Sequence, residues 1–201
     1  MIAAKLGLSS AACGGSPALS LAGIGMGANL GPKATTLLAA WQELGAIPAI
    51  QPLALSSPWR SSPLDMQSAN EFVNAVALIG SGLNPSELLQ LLLTLEARHG
   101  RRRDPKAPGH QDRPLDLDLL FFGGLCRQTA TLTLPHPRLA ERLFVLAPLA
   151  EILPDWQHPL LRQSALELLE RLEGAGQQVQ KDRWPDPVPR TGLGGCSSSP
   201  H

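Results

Sequence analysis

From Arg113 to Phe122 the chain reads Arg-Pro-Leu-Asp-Leu-Asp-Leu-Leu-Phe-Phe, an apolar run interrupted at alternate positions by Asp116 and Asp118. Alternation of this kind selects a β-strand, in which successive side chains leave opposite faces. Leu115, Leu117 and Leu119 then point into a core, and both carboxylates point the other way, about 7 Å apart. Like charges at that spacing repel unless a cation stands between them. Oxygen donors in this number suit Mg²⁺, which takes one or two carboxylates and completes its shell with water and phosphate. Arg113, at the mouth of the strand, is placed to hold an anion beside that metal. The bland alternative is an antiparallel strand with one wet face, where acidic residues at alternate positions are routine. The rest of the chain weighs between the two.

The 201 residues suffice for one well-buried domain with some additional chain. With 43% hydrophobic and 17% charged residues the composition is that of a globular protein. Seventeen basic residues balance seventeen acidic ones, so nothing global points to nucleic acid or an anionic membrane. A phosphate site would need local clustering. Cys13, Cys126 and Cys196 are scattered and odd in number, which argues for a reducing, cytoplasmic setting and against a disulfide framework. Residues 1–17 lack an uninterrupted apolar core and are expected to form a disordered extension rather than an export signal.

Local patterns give an element order. Ala18 to Met26 reads as a buried strand that ends in the tight turn Gly27-Ala28-Asn29-Leu30-Gly31-Pro32, with a helix over Ala34 to Leu44. Ile47 to Trp59 is a second strand made irregular by Pro48 and Pro52. After a loop from Ser61 to Asn70, Glu71 to Ile79 forms a third strand with Phe72, Asn74 and Val76 on one face. Asn84-Pro85-Ser86-Glu87 is a capped helix start, and that helix runs to Gly100. A basic loop leads to the aspartate-bearing strand, which ends in a Gly123-Gly124 hairpin turn. Phe144 to Ile152 and Ser164 to Leu172 read as helices, and the stretch from Gly174 is expected to be a disordered tail. The order β-α-β-β-α-β through Phe122 predicts an α+β, ferredoxin-like domain over residues 18–173: an antiparallel sheet with helices on one face and the ligand site on the other.

The motifs fall in a recognisable series. Gly27-Ala28-Asn29-Leu30-Gly31 closes the first strand and Ser61-Ser62-Pro63-Leu64 follows the second. Phe72-Val73-Asn74-Ala75, Arg113 to Asp118, Leu134-Pro135-His136-Pro137 and Glu141-Arg142-Leu143-Phe144 come after them. From about Leu19 to Asp155 this series resembles the 6-hydroxymethyl-7,8-dihydropterin pyrophosphokinase family of folate biosynthesis. The resemblance implies transfer of pyrophosphate from ATP to the hydroxymethyl group of a reduced pterin, with release of AMP. It further implies two Mg²⁺ ions on Asp116 and Asp118, with Arg101, Arg113, Asp116 and Asp118 as the catalytic set. ATP would be held by Arg101, Arg113, Leu119, Thr133, His136 and Arg142. The pterin would lie among Ser61, Pro63, Leu64, Phe72, Asn74 and Phe144, with the two phenyl rings stacking on it and the amide reading its edge. Glu96 takes a structural role, and no nucleic acid, membrane or second subunit is implied.

This sequence departs from the family pattern in places. Ala28 stands where Ser is common, and the loop before Arg113 is long and lacks the usual tryptophan, leaving His110 as the ring available there. No P-loop motif occurs, so metals and side-chain cations must hold the triphosphate. A sugar-nucleotide transferase with an Asp-x-Asp motif would need a larger nucleotide-binding domain. A non-catalytic ferredoxin-like module would leave Arg113, His136 and Arg142 unexplained.

Overall fold

The computed structural model describes residues 18–62, 70–101, 111–172 and 176–185. The elements are β1 (Ser20–Ala28), α1 (Lys33–Gly45), β2 (Ile50–Leu55), β3 (Trp59–Ser61), β4 (Phe72–Ser81), α2 (Pro85–Arg98) and β5 (Asp116–Phe122). There follow β6 (Arg127–Gln128), β7 (Thr133–Leu134), a 3₁₀ turn at Leu139–Glu141, α3 (Leu143–Ile152), α4 (Ala165–Leu172) and β8 (Val179–Lys181). The main sheet is antiparallel in the order β5-β1-β4-β3-β8, with β2 also paired to β4. This is the expected α+β, ferredoxin-like arrangement.

Alternation on the two central strands sorts the layers. Ala22, Ile24 and Met26 of β1, Val73, Ala75, Ala77 and Ile79 of β4, and Leu117 and Leu119 of β5 pack against α1 and α2. The predicted capping box starts α2: the Asn84 side chain accepts from Ser86 and Glu87 amides, and Glu87 accepts from the Asn84 amide at 2.9 Å. The second face is only partly open. Val76, Leu78, Leu120 and Phe121 meet Leu146 and Leu149 of α3 and Leu168 of α4, so helices cover one end of it. The register shifts between Gly23 and Ile24, and both Leu120 and Phe121 turn toward this second layer. Gly23 is needed there, because a Cβ would come within 2.3 Å of the Phe121 ring. What remains open is the end carrying Phe72, Asn74, Asp116 and Asp118.

Three expectations are corrected. The second strand starts at Ile50 and divides into β2 and β3. Pro52 has no N–H to offer the ladder, and at the break the Ser56 hydroxyl accepts from the Val76 amide at 3.0 Å in place of a strand carbonyl. Gly123-Gly124 does not fold the chain back onto β5; the Gly123 amide bonds to Leu21 at 2.7 Å, and a separate small hairpin of β6 and β7 follows. The expected tail from Gly174 is ordered over residues 176–185, where β8 pairs with β3 and the Trp184 indole donates to the Ser56 carbonyl at 2.9 Å. Val179-Gln180-Lys181 has little apolar content, and its order comes from backbone pairing with a strand edge that a composition argument does not see. The remaining expected extensions, residues 1–17 and 186–201, lie outside the described residues. Among those described, no helix is long and apolar enough to cross a membrane.

Candidate functional site

β5 presents Asp116 and Asp118 opposite Gly27 and Gly25 of β1. Neither glycine carries a side chain, which leaves room for Leu120 over Gly25 and for the Asn74 amide over Gly27. The resulting cleft is walled by Phe72 and Asn74 from β4, Arg113, Arg138 and Arg142 from loops, and Phe144 from the start of α3. Residues that the sequence scatters over seventy positions therefore converge on one cavity.

One end of the cleft is a charge network. Buried Asn29 fastens the approach to β5: its amide oxygen accepts from the Arg113 amide at 2.7 Å, its Nδ2 donates to Asp112, and its own backbone N–H reaches the Arg113 carbonyl at 3.1 Å. That clamp aims the Arg113 guanidinium, which lies 5.4 Å from the Phe72 ring centroid and pairs with Asp116 at 2.7 Å. Arg113 Nε is buried without a hydrogen-bond partner. Arg101 joins Glu96 to Asp116 through Nη1, and Glu96 in turn accepts from the Leu117 amide at 2.8 Å. Two guanidinium groups thus bracket Asp116.

Asp118 is less well compensated. Burial, followed by the charge of Asp116, holds its carboxyl above the usual range, and Arg142 stands off at 3.6 Å. Among the described residues no group of three or more His, Cys, Asp or Glu side chains gathers to hold a metal. Asp116 and Asp118 are the two carboxylates of the cleft that could hold a cation. A carboxyl held up by burial and by a neighbouring carboxylate is also the electrostatic condition that a divalent cation relieves.

His136 is held by its own segment. Its amide donates to the Leu120 carbonyl at 2.7 Å, and its Nδ1 accepts from the Arg138 amide at 3.2 Å. The neutral ring therefore carries its proton on Nε2. Burial, chiefly, holds its pKa below the ordinary histidine value, and Asp118 acts in the opposite direction. Burial also lowers Arg142, whose guanidinium lies 5.5 Å from the Phe144 ring centroid.

At the other end, Phe72 and Asn74 line the cleft from β4 and Phe144 from the start of α3. The Asn74 amide donates to the Ser61 hydroxyl at 2.9 Å, so Ser61 orients Asn74. Thr133 is half-buried in β7, paired with Gln128, and does not line the cleft. Leu119 is 3% exposed, with its side chain in the α1–α2 core. Any contact from Leu119 to a ligand would be through its backbone, because strand alternation sends its side chain inward. Pro63, Leu64 and His110 lie outside the described residues. Reading the sequence missed Arg138, one of the cations facing the cleft, and the support given by Asn29; the Pro-Arg pair at 137–138 offered no pattern to single it out.

Residues 23–154 match the family model described as 7,8-dihydro-6-hydroxymethylpterin-pyrophosphokinase (HPPK). The chain is 38% identical over 150 residues to the 2-amino-4-hydroxy-6-hydroxymethyldihydropteridine pyrophosphokinase of a Synechocystis species, covering 75% of each chain. The like-named protein of Methylorubrum extorquens is 39% identical over 132 residues, 66% of this chain and 82% of that one. The one from Bacillus subtilis is 38% identical over 133 residues, 66% of this chain and 78% of that one. Among solved structures, wild-type Plasmodium falciparum HPPK-DHPS with pteroate superposes with a TM-score of 0.61 at 12% identity, covering 78% of this chain and 46% of that one. At that identity the shared property is the fold, and this chain spans less than half of the solved protein.

Proposed function

Because the chain belongs to the 7,8-dihydro-6-hydroxymethylpterin-pyrophosphokinase family, we propose that its cleft transfers the β,γ-pyrophosphoryl group of ATP to the hydroxymethyl oxygen of 6-hydroxymethyl-7,8-dihydropterin. The hydroxyl loses its proton, an oxygen–Pβ bond forms, the bond from Pβ to the α-phosphate oxygen breaks, and AMP leaves. The observation that carries this reading is a single cleft with an aromatic and amide end beside a carboxylate and arginine end. Such a cleft suits a flat, apolar acceptor next to a highly charged donor.

The pterin ring would lie between Phe72 and Phe144, with Asn74, held by Ser61, bonding its edge. Pro63 and Leu64 would complete that side. Asp116 and Asp118 would hold Mg²⁺, two ions in this reading, which when bound neutralises triphosphate charge and makes the attacking hydroxyl more acidic. Arg113 already leans over Phe72 while paired with Asp116, which supports a role for it between pterin and triphosphate. Its guanidinium can bind phosphate oxygens in a bidentate manner that a lysine cannot match. Arg101, pinned between Glu96 and Asp116, is the second cation beside the carboxylates. His136 would donate from Nε2 to a phosphate oxygen, and Arg142 would contribute charge beside it. The Leu119 backbone would meet the nucleotide. For phosphoryl-type transfer, positioning and charge neutralisation supply most of the rate. The protein would act on these small molecules as a cytoplasmic monomer.

The test is to incubate the purified chain with ATP, Mg²⁺ and hydroxymethyldihydropterin and resolve the nucleotides chromatographically. AMP in equal amount with pterin diphosphate, absent when pterin or Mg²⁺ is left out, is the expected result. Release of ADP, or AMP formation independent of pterin, would overturn the proposal.

A further inference from the structure

Arg142 and Phe144, a cation and a ring of the cleft, sit on either side of Leu143 at the start of α3. Arg142 occupies the N-cap position but makes no side-chain capping bond. Its guanidinium is turned instead toward Asp118 and Phe144. A helix start leaves backbone N–H groups without intrahelical acceptors, so something else must meet them. Here it is one side chain from 34 residues further along. Gln177 Oε1 accepts from the Leu143 amide at 2.9 Å, and Gln177 Nε2 donates to the Glu141 carbonyl at 2.8 Å.

We propose that Gln177 is a positioning residue for this reaction: its one amide bridges the residues before and after Arg142 and fixes where Arg142 stands. This rests on the pyrophosphokinase reading of the cleft. The geometry requires a side chain with a donor and an acceptor at its tip, which glutamine has and a carboxylate or an aliphatic residue lacks. The link is carried by the docked segment around it. Gly176 adopts φ +80°, a conformation glycine permits at no steric cost, just before Gln177. Val179 then pairs with Ser61, the residue that orients Asn74. Between them, Gly176 to Val179 face Phe144 and Ser61 across an adjoining hollow. The segment behind the pterin end therefore lies beyond the 23–154 stretch that defines the family match. A side chain that merely stabilised the fold at a half-exposed position would have no reason to act through Arg142.

The experiment uses the full chain and a double-mutant cycle in pterin-dependent AMP formation. Gln177→Ala should lower kcat/KM about tenfold while its melting temperature stays within about 2 °C of wild type. In an Arg142→Ala background the same substitution should cost less than threefold, because the group it positions is gone. Gln177→Glu, which keeps the acceptor for Leu143 but sets a carboxylate against the Glu141 carbonyl, should fold and lose activity to an intermediate degree. Wild-type turnover in Gln177→Ala, or equal losses in both backgrounds, would overturn the inference. Absence of AMP formation by the wild-type chain would instead overturn the reading on which it rests.

Discussion

Glu96 offers a sharp test of how the site is anchored. β5 is an edge strand, and the Glu96 carboxylate, 3% exposed at the end of α2, closes that edge by accepting from the Leu117 amide at 2.8 Å. The same oxygen meets Arg101, which also binds Asp116. Glu96→Ala strands the Leu117 N–H in the interior, a cost of about 1–3 kcal/mol. It also removes one of the two carboxylates that neutralise Arg101. Breaking a buried pair outright costs about 3–5 kcal/mol, but Arg101 keeps Asp116 and forfeits only about 1 kcal/mol of this, so with Leu117 a total of about 3 kcal/mol is expected. For a domain of this size that is a fall of about 6–12 °C in Tm. Glu96→Gln retains an oxygen for Leu117 and loses only the charge, so about half that loss is expected. Urea unfolding followed by circular dichroism gives both values. Equal losses for Ala and Gln, or an Ala variant within about 1 kcal/mol of wild type, would refute the argument.

Other perturbations test separate parts of the account. Gly23→Ala drives a methyl into a Phe121 ring that is stacked 4.4 Å from Trp156, and should cost about 2–3 kcal/mol by chemical denaturation. Trp184→Ala removes the indole bond to Ser56 and its packing on the inner core, and should cost about 2 kcal/mol; a variant melting with wild type would show that the C-terminal segment contributes nothing to the cooperative fold. Burial raises the Glu151 carboxyl, but bonds from Ser57 and Trp59 outweigh it and hold the group below its usual 4.5. A depressed folded pKa gives stability above the unfolded value that is lost as pH falls through the folded one, so Glu151→Gln should flatten the decline in Tm below about pH 4.5.

Much of this is written in short-range pattern. The alternation of Asp116 and Asp118 with leucines placed both carboxylates on the ligand face, and Phe72 and Asn74 followed by the same rule. Capping chemistry at Asn84-Pro85-Ser86-Glu87 fixed the start of α2. Features that depend on partners far away in the chain were not legible. Val179-Gln180-Lys181 becomes a strand only because β3 offers an edge, and Gln177 has no local signal at all. The partial covering of the second face by α3 and α4 likewise depends on Gly23 and Gly25 being bare beneath Phe121 and Leu120, which neither periodicity nor propensity reveals. Arg138 looks like any surface arginine until the 3₁₀ turn brings it to the cleft.

The central claim is that the Asp118 carboxylate exists for the reaction and not for the fold. Burial and the charge of Asp116 raise its folded pKa, and a carboxyl raised in this way costs stability at pH values where it is ionised. Asp118→Asn, nearly identical in shape, should therefore melt at or above the wild-type temperature at pH 7. Its pterin-dependent AMP formation should fall at least a thousandfold, about 4 kcal/mol of lost transition-state stabilisation. Measuring rate and Tm on the same preparation decides the matter. A variant that melts lower than wild type, or turns over within tenfold of it, would contradict the account.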